Sequence, residues 1–250
     1  MLRFLLLGAA AGLALGACAP QIAAPRAPIE RYFSVIDPGG EGPRAAALLV
    51  PGCDGNGPHV AFAAEKLARD GFVVLTFDYP AAYGLDGDCT PAQTATLDDD
   101  IVRAAASLRG HNGVDPARVH LVGWAEGGAG IMAALGDPTR AGRIAARSAA
   151  AFYPVCATLS AWRIDVPFLM LLADSDGGAP AQACIALTEG SKGADKVLAI
   201  RYGGAAPRFD VDAKAAAWRF WRRGADAFNG PVRDAALGDL RIFFGVPKTP

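Results

Sequence analysis

The chain has almost no net charge, because 24 Lys and Arg residues balance 25 Asp and Glu residues to a formal value of −1. This composition excludes a strongly basic surface for nucleic acid and an acidic interaction tail. Histidine is scarce as well: the three residues, His59, His111 and His120, all lie in the first half of the 250-residue sequence. Chemistry that needs an imidazole from the second half is thereby excluded. The chain shows no internal repeat, and its 52% hydrophobic residues are typical of a globular domain.

The first 17 residues have the pattern of a secretory signal peptide. Arg3 provides a short positive region, and an apolar run from Phe4 to Leu15 follows it. That run is too short to span about 30 Å of hydrocarbon as a stable helix. It ends in the sequence Leu15–Cys18, which resembles a bacterial lipobox, where the cysteine is lipidated and becomes the first mature residue. We therefore expect residues 1–17 to be a signal peptide and Cys18 to carry a lipid.

The segment around Cys18 also fits a second kind of processing. Ala17–Ala19 matches the A-x-A pattern of ordinary cleavage, which would leave no lipid. With a lipid, Ala19 is compatible with delivery to the outer membrane, by resemblance to known sorting rules. Residues 18–29 are rich in Pro and Ala and predict a stiff tether. The sequence thus predicts an outer-membrane lipoprotein at the periplasmic face, held to the membrane through Cys18.

The chain contains five cysteines, and setting Cys18 aside leaves Cys53, Cys89, Cys156 and Cys184. An even number of cysteines in an exported protein indicates two disulfides, for which three pairings are possible. Cys53 and Cys89 both lie in loops after strand-like runs, as do Cys156 and Cys184 further along. We predict the pairs Cys53–Cys89 and Cys156–Cys184, with buried free thiols as the alternative.

Strand-like and helix-like segments alternate from about residue 30 to the end of the chain, with no sign of a second domain boundary. Apolar runs predict strands at residues 31–36, 45–50, 72–78, 118–122, 149–153, 167–172 and 197–202. Helical spacing predicts helices at residues 60–69, 96–108, 129–135, 180–188, 212–228 and 232–244. This alternation predicts a single α/β domain over residues 30–250, with a mainly parallel sheet and helices on both faces.

Three consecutive aspartates, Asp98, Asp99 and Asp100, follow Thr96. Such a run is compatible with a metal site. However, a threonine N-cap followed by acids in the first turn is typical of a helix start, where the helix dipole favours negative charge. We predict a solvated helix start here, and we predict neither a metal site nor a cofactor for the protein.

Residues Gly123–Gly128 form a glycine-rich turn between a predicted strand and an apolar, helix-like run. A strand, a sharp turn and a helix are the context of the G-x-S-x-G motif, whose central residue is the nucleophile of a hydrolase. The central residue here is Ala125, and a methyl group cannot attack a carbonyl carbon. The pattern therefore predicts a hydrolase fold without its nucleophile.

The sequence around this turn resembles the dienelactone hydrolase branch of the α/β-hydrolase family. Val114–Trp124 is similar to the D-P-x-R-V-x-L-V-G-W run that precedes the turn in that family. Pro51–Gly55 is similar to the family's H-G-x-G-G loop, whose backbone N–H groups help to form the oxyanion hole. The resemblance implies that the oxyanion donors are the N–H of Cys53 or Asp54 and the N–H of Glu126.

Two further segments extend the resemblance, which covers about residues 30–246. Ala173–Asp176, followed by Pro180, matches the acid loop of the family, which implies that Asp176 is the triad acid. Tyr202–Asp210 matches a Y-P-G-A-x-H-x-F-D segment, and Pro207 stands where the family has its catalytic histidine.

The triad of an α/β-hydrolase follows the chain order nucleophile, acid, histidine. No histidine follows Ala125, so the triad cannot be assembled in any register. Loss of one triad member typically lowers kcat by about 10⁴–10⁶, and an oxyanion hole with binding groups alone retains roughly 10³–10⁴ over water. We therefore expect an exported, lipid-anchored pseudo-hydrolase that binds a small ligand or a protein partner, whose identity the sequence does not give.

One alternative is an active hydrolase of carboxylic esters with relocated catalytic groups. Its candidates are the carboxylates of Asp176 and Glu126 and a thiolate at Cys156, with His59 near the cleft. A Cys156 thiolate conflicts with the predicted disulfide. The simpler interpretations are that Asp176 caps a loop, that Glu126 occupies the first turn of a helix, and that His59 lies on a helix surface. A purely structural envelope protein is the remaining alternative.

Overall fold

The computed structural model describes residues 24–85, 87, 89–159, 162–175, 179–212 and 227–247. The predicted signal peptide, Cys18, Asp176 and most of the helix predicted at 212–228 lie outside these residues. The strands are β1 (Phe33–Ile36), β2 (Arg44–Val50), β3 (Val73–Phe77), β4 (Val114–Trp124), β5 (Ser148–Phe152), β6 (Phe168–Asp174) and β7 (Val197–Gly203). The helices are α1 (Pro58–Arg69), α2 (Tyr79–Tyr83), α3 (Leu97–Arg109), α4 (Ala125–Gly136), α5 (Pro138–Ile144), α6 (Ala179–Glu189) and α7 (Gly230–Phe243), with 3₁₀ turns at Ile29–Tyr32, Cys156–Thr158 and Ala194–Lys196.

The strands form one sheet in the order β1-β3-β2-β4-β5-β6-β7. Strand β1 is antiparallel to β3, and the other neighbouring strands are parallel. Successive side chains of a strand point to opposite faces, so Ala46 and Leu48 of β2 enter one core while Ala47 and Leu49 enter the other. Helices α3, α4 and α6 pack on the first face, and α1 and α7 pack on the second. The predicted α/β-hydrolase architecture is confirmed.

The strand order reverses beside β2, because the chain runs from β2 to β3 on one side and then returns to β4 on the other. Strands β2, β4 and β5 therefore end side by side, at Val50, Trp124 and Phe152. Ligands of open α/β sheets bind at such a reversal, outside the carboxyl ends of the strands. The turn at Ala125 follows directly from β4 and lies at this edge.

Helices α2 and α5 were not predicted from the sequence, and both lie in segments without helical periodicity. Each begins with an aspartate whose side chain accepts a backbone N–H bond: Asp78 from Ala81 at 3.2 Å, and Asp137 from Arg140 at 2.9 Å. A proline lies in the first turn of each helix. Capping by Asp with an adjacent Pro was the available signal, and it outweighs periodicity in helices this short.

The aspartate run begins a helix as predicted, but it is not uniformly solvated. Asp98 and Asp99 pair with Arg140. Asp100 is fully buried; it accepts a hydrogen bond from the Tyr83 hydroxyl and pairs with Arg103. Burial and this hydrogen bond raise the pKa of Tyr83 to about 12. Correspondingly, the hydroxyl of Thr96 does not cap the helix and lies 3.0 Å from that of Tyr83.

The segment that leads into the sheet is held against α2. The backbone N–H of Arg26 donates to the carbonyl of Ala82 at 2.7 Å, and its guanidinium donates to the carbonyl of Gly84 at 3.4 Å. The side chain of Ile29 is completely buried. Among the described residues, no helix has the length and apolar character needed to cross a bilayer.

Candidate functional site

The turn between β4 and α4 has the backbone conformation of a nucleophile elbow. Ala125 lies at φ 44°, in the left-handed region that a residue with a Cβ enters at a cost of roughly 1–2 kcal/mol. Such strain persists only where the surrounding structure enforces it. The strand-turn-helix context predicted around Ala125 is therefore confirmed, with a methyl group at its apex.

Close packing of the backbone around this turn explains its glycines. A Cβ added to Gly127 would lie 2.2 Å from the carbonyl oxygen of Pro51 and 2.3 Å from that of Val50. A Cβ added to Gly123 would lie 2.6 Å from the Cα of Gly128. Real Cβ atoms do not approach backbone atoms so closely. The glycines thus fix α4 against the end of β2, and they do so independently of the residue at position 125.

A cavity of about 540 Å³ lies in front of Ala125. The loop after β2, the elbow, the segment after β5, helix α6 and the Pro207 loop contribute to its walls. Its volume is within the range of small-molecule binding sites, about 300–1,000 Å³. Its walls are mostly apolar and include Pro154, Val155 and Ala183. The cleft at the strand reversal is therefore open rather than filled by side chains.

Both predicted disulfides are present, and both border this cavity. Cys53 is bonded to Cys89, with Cα atoms 5.6 Å apart, and Cys156 is bonded to Cys184, with Cα atoms 5.0 Å apart. Cys53 and Cys156 contribute to the cavity wall. The possibility of a nucleophilic thiolate at Cys156 is overturned, because its sulfur is in a disulfide bond.

The carboxylate of Glu126 accepts the hydrogen bond of one of the backbone N–H groups that were expected to form the oxyanion hole. The backbone N–H of Cys53 donates to Glu126 Oε2 at 3.2 Å. Gly52 brings these groups together, since a Cβ at that position would lie 3.3 Å from both Glu126 Oε2 and the Cβ of Ala125. The N–H group that the resemblance assigned to a substrate oxygen therefore already has an anionic acceptor.

An ion pair connects two of the loops that line the cavity. Arg208, the residue after Pro207, pairs with Asp54 at 2.9 Å. Arg208 itself lies at φ 74°, in the left-handed region. This ion pair joins the loop of the expected histidine to the expected oxyanion loop. Sequence reasoning missed it, because no local pattern predicts a contact between residues so far apart.

His59 is buried in the wall of the cavity, with only 3% of its surface exposed. The interpretation of His59 as a helix-surface residue is wrong, whereas its suggested place near the cleft agrees with the structure. Helix α1 begins at Pro58, and the His59 ring packs edge to face on Trp124 with ring centroids 5.7 Å apart. Within the described part of the chain, its Nδ1 has no hydrogen-bond partner. A buried ring nitrogen without a partner is unusual and indicates a position for a ligand or water.

A buried carboxylate supports the cavity wall from behind. Asp210 accepts hydrogen bonds from Trp124 Nε1 at 2.7 Å and from the Tyr153 hydroxyl at 2.6 Å. Burial and the negative charge of Asp210 raise the pKa of Tyr153 well above its usual value. Trp124 and Tyr153 are therefore fixed as neutral hydrogen-bond donors, and their rings present apolar surface to the cavity.

The predicted triad acid, Asp176, lies outside the described residues, as does the predicted lipid attachment site, Cys18. Asp174, close to Asp176 in the sequence, ends β6 and pairs with Arg201 at 2.8 Å. Pro207 lines the cavity, as Ala125 does. Across the ranges described, no group of His, Cys, Asp and Glu side chains is arranged to hold a metal ion.

Similarity to solved structures agrees with this architecture. A Klebsiella pneumoniae protein assigned to the dienelactone hydrolases has a TM-score of 0.62 and 16% identity, with 83% of this chain and 89% of that chain covered. Thermogutta terrifontis esterase 2, phosphorylated by paraoxon, has a TM-score of 0.59 and 17% identity, with coverage of 86% and 90%. A dienelactone hydrolase-like promiscuous phosphotriesterase from metagenomic libraries has a TM-score of 0.58 and 15% identity, with coverage of 82% and 87%. These likenesses establish the fold.

The search among curated proteins finds no significant match. A family model described as PET hydrolase-like matches residues 35–192, which include β2, the elbow and α6. That range is more than half of the chain and includes the turn at Ala125. The protein therefore belongs to the PET hydrolase-like family and has the α/β-hydrolase fold of the dienelactone hydrolases.

Proposed function

We propose that this protein is a pseudo-hydrolase that binds a small, largely apolar ligand in the cavity in front of the elbow. The observation that carries the proposal is the strained backbone at Ala125, φ 44°, which presents a methyl group to an open cavity of about 540 Å³. The architecture of a hydrolase site is retained there without a group that attacks a carbonyl carbon. Binding is the activity that such a site keeps when covalent chemistry is lost.

The other side chains of the cavity support binding over catalysis. Its cysteines are in disulfides, and its arginine is paired with Asp54. His59 could accept a proton, but no hydroxyl or thiol nucleophile stands at the elbow for it to activate. The cavity of the described chain thus lacks the nucleophile and base pair that acyl transfer needs.

A hydrolase with relocated catalysis is the second candidate, and the position of Glu126 is the observation in its favour. A carboxylate that faces the cavity beside the elbow could activate a water molecule. Its described hydrogen bond, however, is to the N–H of Cys53, which fixes the carboxylate as an acceptor in the oxyanion position. Binding remains the better supported proposal, and the same assay tests both.

The assay compares p-nitrophenyl acetate hydrolysis by the wild type, Ala125→Ser, Pro207→His and the double variant, with Ala133→Ser in the middle of α4 as a matched control. We expect no enzymatic turnover by the wild type, the single variants or the control. Turnover by the double variant alone would mean that the site geometry persists without its chemistry. Wild-type turnover that Glu126→Gln abolishes would overturn the proposal in favour of relocated catalysis.

Export and lipid anchoring form a second part of the proposal. They rest on the signal-like residues 1–17, on Cys18 and on the tether 18–29, and two disulfides in a small domain are in keeping with an oxidising compartment. Labelled palmitate should enter the full-length protein in a Gram-negative host and should be absent from Cys18→Ala. A protein that is secreted unlabelled and cleaved after Ala19 would contradict the lipid anchor.

A further inference from the structure

The cavity has an excess of negative charge. Asp54 and Arg208 neutralise each other, and Arg208 is the only Lys or Arg that lines the cavity within the described ranges. Glu126 lines the same cavity and has no cationic partner among the described residues. Asp210 lies directly behind Trp124 and Tyr153 and accepts hydrogen bonds from both. One paired cation thus stands against three carboxylates.

The polar anchors of the cavity favour a hydrogen-bond donor from a ligand. Glu126 uses Oε2 to accept from Cys53, and its Oε1 makes no hydrogen bond with a described residue. His59 lines the same cavity, and its Nε2, the ring nitrogen that is not enclosed and has no hydrogen bond with a described residue, accepts a hydrogen bond when the proton of the neutral ring is on Nδ1. These are two independent acceptors in one apolar cavity.

The same contacts disfavour an anionic or carbonyl ligand. The backbone N–H of Cys53, which would stabilise a ligand oxygen, already donates to Glu126. A ligand carboxylate at that place would face the carboxylate of Glu126 without a free cation beside it. Like charges at close range in a partly desolvated site repel strongly.

We infer that the cavity selects an organic cation, an ammonium group on an apolar body, and that Glu126 is the residue that receives the charge. This inference rests on the proposed binding function and names the ligand class of that same site. The ammonium donates to Glu126 Oε1 and to His59, while the apolar body lies against Pro154, Val155 and Ala183. The pKa of the buried Tyr79 hydroxyl, next to the Cys53–Cys89 disulfide, is raised mainly by burial and further by the negative charges of Glu126 and Asp54. This shift is consistent with a negative electrostatic potential in this region.

The test uses three probes with one apolar body and three charges: 2-phenylethylamine, 2-phenylethanol and 3-phenylpropionate. Isothermal titration calorimetry on the oxidised protein at pH 7 should give the amine a Kd at least about tenfold lower than that of the alcohol, because charge-assisted hydrogen bonds are the stronger ones. The propionate should bind more weakly than the alcohol. Equal affinities for amine and alcohol, or tightest binding of the propionate, would overturn the inference.

Variants of Glu126 test whether this residue causes the preference for the amine. Glu126→Gln should raise the Kd of the amine to that of the alcohol and leave the alcohol unchanged, whereas Glu126→Asp keeps the charge and should keep the preference. Glu65→Gln, on the exposed face of α1, is the matched control. Should Glu126→Gln fail to fold, His59→Leu replaces it and should weaken the amine more than the alcohol. An unchanged preference in a folded Glu126→Gln protein would overturn the role of this residue.

The outcomes separate this inference from the function on which it rests. If all three probes bind equally and Ala183→Trp abolishes their binding, the cavity is a binding site without charge selectivity, and only the inference is wrong. If no probe binds at millimolar concentration, the inference is overturned. Hydrolysis of p-nitrophenyl acetate by the wild type would instead remove the proposed pseudo-hydrolase function.

Discussion

The part of the central strand β4 that pairs with both neighbouring strands runs from His120 to Trp124, and its two ends differ in their polar contacts and backbone strain. At its amino end, His120 is buried, shares a 2.8 Å hydrogen bond with Ser148 and packs on Phe244 with ring centroids 4.4 Å apart. At its carboxyl end, Ala125 is strained and the neighbouring His59 has an unpartnered nitrogen in the described structure. His120 thus has a polar partner, whereas the carboxyl end keeps strain and an open cavity.

This difference separates stability from function within one element. Packing and hydrogen bonds at the amino end require particular side chains, while the carboxyl end is held by backbone fit at Gly127 and by two disulfides. The residue at the apex of the elbow can therefore change from a nucleophile to alanine without loss of the turn. Functional sites keep such strain where the surroundings enforce it.

The largest effect is expected at Gly127, where backbone fit is tightest. Gly127→Ala places a methyl group 2.2 Å from the Pro51 carbonyl oxygen, which the end of β2 holds in place, so we expect a loss of about 5 kcal/mol or more in unfolding free energy. Urea denaturation followed by circular dichroism measures it. Gly238→Ala, where an added Cβ meets nothing within 4 Å, is the control and should be neutral or slightly stabilising. Similar stabilities for both variants would refute the role of backbone fit.

The next largest effect on stability is expected from the disulfides. They cross-link the loops at the carboxyl end, whereas the amino end is held by packing and hydrogen bonds. Replacing Cys156 and Cys184 together by alanine should lower the unfolding free energy by roughly 3–4 kcal/mol, because the bond closes a loop with a sequence separation of 28 residues. In thermal melts, both the variant and the wild type treated with a reductant should have a lower Tm than the oxidised wild type. A variant as stable as the oxidised wild type would show that the cavity wall holds without this bond.

The buried His120 at the amino end should make the stability of the protein depend on pH. Burial, with smaller contributions from Arg147 and Arg118, lowers the pKa of His120 from 6.5 to about 4. Above pH 6.5 the His120 imidazole is neutral in both the folded and the unfolded protein, so it adds no pH dependence to the free energy of unfolding. Between pH 6.5 and 4 the unfolded chain binds a proton that the folded protein does not, so stability falls by about 3 kcal/mol as the pH is lowered.

His120→Gln isolates this contribution, since glutamine can bond to Ser148 but does not titrate. The difference in unfolding free energy between wild type and variant should change over pH 6.5 to 4 and stay constant above that range. Parallel pH profiles of the two proteins would contradict a depressed pKa at His120.

The smallest effect is the strain itself. Ala125→Gly relieves the left-handed conformation at φ 44° and should stabilise the protein by about 1 kcal/mol, reduced by the greater entropy of glycine in the unfolded chain. The same change at Ala133, within α4, should destabilise the protein by about 1 kcal/mol. Differential scanning calorimetry compares the two, and a loss of stability in both would mean that the elbow is unstrained.

The sequence predicted the sheet and the elbow well, because both depend on local patterns. Buried apolar runs identified strands such as β3 and β5, and the glycines around Ala125 identified the turn. The interpretation of His59 as an exposed residue was wrong, since burial of one helix residue depends on which side chains the facing strand carries. The Asp54–Arg208 pair and the Glu126–Cys53 bond were missed because they join distant segments through side-chain geometry. The roles assigned to Asp176, Ala125 and Pro207 remain predictions.

The contact of Arg26 with α2 has a consequence for the route by which a ligand arrives. Arg26 is tied to Ala82 and Gly84, which lead into the loop that carries Cys89 and Gly87 at the wall of the cavity. Arg26 is the eighth residue after Cys18, so the two can be at most about 28 Å apart when the chain between them is extended. With the lipid that we propose on Cys18, this segment holds Arg26 and the adjoining α2 within about 28 Å of the membrane surface, where the amphiphilic amines that we propose as ligands concentrate.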